Sequence, residues 1–168
     1  MKWPWSKKKN EAAETNTFSI ELALESERAD LAVSDWLSRM YHHRDQIPSE
    51  VLNGYVVDRF LSEVNHGGLL GFFEWEFEFV PAAVVALKDA GLADIAAVLQ
   101  DAMHIVSGET WFATREDFDN AKPLLLDEGR LEELDQLVIE ASRKIEDAMH
   151  HYIRANLKTF SALDAKET

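Results

Sequence analysis

The sequence predicts an all-α protein, a single compact helical domain of about six to eight helices. Three observations carry that reading. Apolar residues recur at three- and four-residue spacing from Phe18 to Phe160, the period of a helix with one buried face. Strict alternation occurs over Glu74-Trp75-Glu76-Phe77-Glu78-Phe79, and no second strand pattern exists to pair with it. A lone strand would leave its backbone groups unsatisfied, so this run reads as the end of a helix plus a loop. Finally, 46% of 168 residues are apolar, ample for one core.

The elements follow in order. Residues 1–16 read as a disordered basic tail: Met1 to Lys9 carry four lysines and no acid, and polar Asn10-Glu11 stand where a signal peptide would place its apolar region. The domain spans 17–160, and 161–168 read as a frayed C-terminus. Leu31, Trp36, Leu37, Met40 and Tyr41 mark one helix, and Pro48 opens a second over about Glu50 to Val64. Asn65 and the pair Gly67-Gly68 then interrupt an otherwise apolar stretch, and Leu69, Leu70, Phe72 and Phe73 resume it. A glycine costs roughly 1 kcal/mol against alanine inside a helix. Two in succession therefore point to a backbone that leaves helical geometry and re-enters it, or to close packing.

Pro81 restarts a helix that Gly91 caps, and a further apolar stripe from Leu92 to Met103 ends at Ser107-Gly108. Thr114 with Asp117 reads as a capping-box variant opening a helix to about Leu126, with Pro123 an irregularity. Asp127-Glu128-Gly129 reads as a turn. Leu131 to Val138, then Ile145 to Leu157, supply the last stripes, with His150-His151 read as solvated.

Composition excludes several functions. With no cysteine there is no disulfide, thiol nucleophile or cysteine-bound zinc, which suits a cytoplasmic setting. No apolar run reaches the ~18 residues of a membrane span. Net charge is −14, and without the tail's four lysines the rest stands at −18. Such a chain repels nucleic acid and attracts basic proteins. No phosphate-binding loop, dinucleotide fingerprint or nucleophile elbow is present.

The run Glu63-Val64-Asn65-His66-Gly67-Gly68 followed by Phe72-Phe73 resembles the Glu-Val-Asn-Asn-Gly-Gly-Phe…Phe signature of a bacterial all-α family that includes an acidic DNA-mimic protein. The likeness continues through Ala86-Leu87-Lys88-Asp89-Ala90-Gly91 and Ala96-Ala97-Val98-Leu99, and ends in Leu134-Asp135 and Tyr152-Ile153-Arg154-Ala155-Asn156. Here His66 replaces the second Asn, Leu69 replaces the usual Phe, and the acidic-aromatic run replaces a glycine-containing turn. The resemblance implies a non-enzymatic protein that occupies the nucleic-acid site of a basic DNA-binding protein or transcription factor. It also implies a homodimer, no cofactor and no direct contact with nucleic acid.

Carboxylate density marks the expected partner-binding residues: Glu74, Glu76 and Glu78 beside large aromatics, then Asp117, Asp119, Glu132, Glu133 and Asp135. Duplex DNA carries one charge per ~1.7 Å of axis, a density that rows of carboxylates can approach. Glu63, Asn65, Gly67, Gly68, Phe72 and Phe73 form the structural motif. Two alternatives stand beside this reading. One is an immunity or antitoxin-like inhibitor of a basic toxin. The other is a helical metalloenzyme using Glu63/His66, Asp101/His104 and Asp147/His150. Chance pairing of 31 acids and 6 histidines over 168 positions already supplies about one such pair, so no metal is expected.

Overall fold

The computed structural model describes residues 19–43, 46–125 and 128–164; the tail at 1–16 and residues 165–168 lie outside them. The described residues form nine α-helices and no strand: α1 (Ile20–Glu25), α2 (Ala29–His43), α3 (Ser49–Trp75), α4 (Val80–Asp89), α5 (Ala93–Ser107), α6 (Arg115–Leu125), α7 (Glu128–Glu140), α8 (Ser142–Ala155) and α9 (Leu157–Asp164). The alternating run is the end of α3 followed by a 3-10 turn, Phe77–Phe79, that leads directly into α4.

Helix α3 is the axis of the fold: α2, α4, α7, α8 and α9 all pack against it. Its buried residues include Val56, Val57, Phe60, Val64, Leu69, Phe72 and Phe73. Phe60 meets Phe72 edge-on at 5.1 Å between ring centres, so the two halves of the helix are stitched by aromatic packing. Gly91 takes φ 81°, while the amide of Leu92 donates to the carbonyl of Leu87 at 2.8 Å. That is a Schellman cap, and it turns the chain from α4 into α5. Thr114 Oγ1 accepts from the Asp117 amide and donates to Asp117 Oδ2 at 2.7 Å, closing the box that starts α6.

Three local expectations change. Gly129 belongs to α7, which begins at Glu128 rather than after a turn. The C-terminal chain remains helical through Asp164. Its Oδ1 accepts from Trp36 Nε1 at 2.7 Å and its Oδ2 from the Ile20 amide at 3.2 Å, so one carboxylate ties α9 to α1 and α2. Beside it Phe160 is fully buried against Trp36, with Gly54 leaving room for its ring. His150, read as solvated, is buried, because α8 turns that face inward.

Candidate partner-binding surface

The glycine break is built from two directions. Gly68 takes φ 68° and ψ −173° in the middle of α3, a conformation natural to glycine and strained for other residues. The amide of Leu69 thereby loses its helical partner and donates instead to Asp135 Oδ1 of α7 at 2.7 Å. A carboxylate on such an amide acts as an N-terminal cap for the second half of the helix. A Cβ at Gly68 would lie 2.4 Å from Asp135 Oδ2, so both the backbone angle and the space require glycine. Burial raises the Asp135 pKa, and the Leu69 amide offsets part of that.

A second bridge crosses the break. Arg59, on the first half of α3, binds Glu63 one turn on and Glu76 beyond the second half; its Nε donates to Glu76 Oε1 at 2.8 Å. Both carboxylates are largely enclosed, so the group holds the angle between the halves. Asn65 Oδ1 accepts from Ser142 Oγ at 3.0 Å, which fixes the start of α8. Phe72 and Phe73 are fully buried. Glu63, Asn65, Gly68, Phe72 and Phe73 are thus each engaged within the fold.

Gly67 faces outward. Trp75 folds back along the helix, and a Cβ at Gly67 would lie 3.0 Å from its ring, one at Gly71 3.3 Å. The two glycines make a shelf on which the indole rests, yet Trp75 stays 56% exposed. Beside it runs a groove lined by Trp75, Glu76, Phe77, Glu78, Phe79 and Arg115. Arg115 pairs with Asp119 at 3.1 Å, and its guanidinium lies 5.8 Å from the centre of the Phe118 ring.

The acids expected to meet a partner are therefore dispersed. Glu78 and, through Arg115, Asp119 come together at this groove; Glu74 is half-buried at the end of α3. Asp117 is exposed on α6 and engaged in its cap, and Glu132 and Glu133 are exposed on α7. Glu76 and Asp135 point inward, to Arg59 and Leu69.

Asp58 escaped the sequence reading. It lies buried among α2, α3 and α8, accepts from Ser34 Oγ at 2.9 Å, and has its pKa pushed up to about 6 by burial. Its only signal was an acid adjoining the apolar face of α3 at Val57. The paired acid-histidine spacings do not converge. Glu63 is held by Arg59, His66 Nδ1 lies 2.6 Å from the Ser62 carbonyl oxygen, and His104 lines a different groove beside Trp111. No group of three or more His, Asp or Glu side chains among the described residues is placed to hold a metal ion. None of the described helices is long and apolar enough to cross a membrane.

Comparison with known families places this arrangement. The profile described as DMP19-like protein matches residues 45–156, from the start of α3 to the end of α8. Comparisons with curated proteins and with solved structures found no match.

Proposed function

The chain belongs to the DMP19-like family of DNA mimics, and from that premise we propose that it is a non-enzymatic inhibitor of a basic DNA-binding protein, whose nucleic-acid site it occupies. The match across the whole of α3 to α8, in a chain of net charge −14, is the observation that carries this reading. Carboxylates displayed on rigid helices attract the lysines and arginines that otherwise contact phosphates. The contact surface comprises Glu74, Glu78, Asp117, Asp119, Glu132 and Glu133, while Glu76 and Asp135 maintain the angle of α3. The protein works in the cytoplasm, as a homodimer, and needs no cofactor.

Affinity capture from the native host, followed by competition, tests the proposal. A captured partner should bind labelled duplex DNA, and this protein should displace that DNA. The association rate should fall steeply with added salt, since the Debye length is only about 10 Å at 0.1 M. A partner that holds DNA and this protein simultaneously would overturn the mimic reading. A captured toxin with no DNA-binding activity would move the protein to the immunity class.

A further inference from the structure

The groove beside Trp75 carries an inference that rests on the basic-partner reading and goes further. Exposed tryptophans are uncommon because of their size, and this one is deliberately supported. Gly71 precedes it by four residues on the same helical face, and the bend at Gly68 brings Gly67 against the same ring. Glycine is a much poorer helix former than alanine. Alanine at either position would crowd the ring, at 3.0 or 3.3 Å. The helix thus gives up local stability at two positions where the indole lies close.

The chemistry of the groove selects a cation. The face of an indole is the strongest aromatic partner for one. The charged groups that line the groove are Glu76, Glu78 and Arg115; Arg59 pairs with Glu76, and Asp119 pairs with Arg115. Glu78 is the exposed member of that set on the Trp75 side. The protein also supplies its own example of the binding mode: Arg115 lies over the Phe118 ring while paired to Asp119. A planar, weakly hydrated guanidinium suits such stacking better than a compact ammonium.

We propose that the Trp75 groove receives an arginine side chain of the basic partner, its guanidinium stacked on the exposed part of the indole and paired with Glu78. Trp75 is then the anchor of the interface, and the surrounding acids set its attraction and salt dependence. An arginine there gains a stacking contact that a lysine makes less well, so the groove reads arginine rather than positive charge alone.

Oligoarginine and oligolysine of equal length serve as probes, with binding measured by calorimetry. The parent protein should prefer oligoarginine by about three- to tenfold. In the two-dimensional NMR spectrum, the Trp75 indole N–H should shift with oligoarginine and far less with oligolysine. Trp75→Leu should erase the preference while keeping residual, salt-sensitive binding of both peptides, and Trp75→Phe should retain part of it. Equal binding of the two peptides by the parent, or an undiminished preference in a folded Trp75→Leu, overturns the anchor and leaves the basic-partner reading standing. Should Trp75→Leu fail to fold, Trp75→Phe and the indole resonance decide: an unmoved resonance under saturating oligoarginine overturns the proposal. If neither peptide binds, the anchor falls together with the reading it rests on.

Discussion

Gly67 and Gly68 are adjacent in sequence and face opposite sides of α3. Gly68 looks inward, at positive φ, with Asp135 so close that no Cβ fits. Gly67 keeps a negative φ, and its missing side chain makes room for an exposed indole. One side of the break is architecture: Asp135 on the Leu69 amide, Arg59 between Glu63 and Glu76, Phe60 against Phe72. The other presents Trp75 to solvent. The same residue type therefore serves two ends, and only the geometry separates a glycine that the backbone demands from one that shapes a surface.

Substitutions at the two faces should separate accordingly, beginning with the largest effect. Gly68→Val is expected to cost about 3 kcal/mol, because a β-branched residue at positive φ is strained and Asp135 must leave the Leu69 amide. A thermal melt within about 0.5 kcal/mol of the parent would break the comparison at its root.

Asp58 lies on the inward side of the first half of α3, and its replacement should stabilise. Its pKa rises from 3.8 to about 6 because burial disfavours the anion; the Ser34 hydroxyl and Arg59 charge offset that in part. The folded state then holds its proton more tightly than the unfolded chain. Asp58 thus contributes stability that is complete below about pH 4 and is lost as pH rises through about 6. Asp58→Asn keeps an oxygen for Ser34 and should raise stability at pH 7 by about 1–2 kcal/mol. Near pH 4 the gain should vanish. Denaturant melts at both pH values check this, and comparison with the parent cancels His150, whose pKa burial shifts the other way.

Asp135→Ala should cost about 1–2 kcal/mol by orphaning the Leu69 amide. This is less than Gly68→Val, since no backbone strain is added. The exposed acid Glu78 should behave differently again. Glu78→Gln should leave the melt within about 0.5 kcal/mol while weakening capture of the partner and flattening its salt dependence. Adding Glu76→Gln should lower stability as well, because Arg59 loses a buried partner. If both substitutions proved equally neutral, the Arg59 bridge would have no architectural role. The smallest effect is expected at Gly67→Ala: about 1 kcal/mol of helix propensity is recovered and offset by displacing the indole. Its melt should hardly move, whereas the Trp75 N–H resonance should.

The helices were largely legible because their signals are local. Apolar spacing, the Thr114–Asp117 box and the Gly91 cap each act within a few residues, and Gly67-Gly68 announced an interruption that Gly68 alone provides. The surface was less legible. Glu74, Glu76 and Glu78 look equivalent as letters, yet one is half-buried, one binds Arg59 and one lines the open groove. Arg59 and Glu63 lie one helical turn apart, whereas Glu76 joins them only because α3 bends. His150 looked solvated beside His151, and the packing of α8 buries it.

Composition and local pattern specify an acidic, cysteine-free, all-α chain, the capped starts and ends of several helices, and a break after Asn65. Those properties depend on composition and on interactions within one or two helical turns. Tertiary structure alone decided what each carboxylate does. Asp135 caps an amide 66 residues away, and Asp164 binds the Ile20 amide 144 residues away. Whether a carboxylate meets an amide, a guanidinium or water depends on which distant helix is laid across it. That choice is made by burying Phe60, Phe72, Trp36 and Phe160 together, since apolar packing sets the helix positions and the polar groups take the partners those positions leave them.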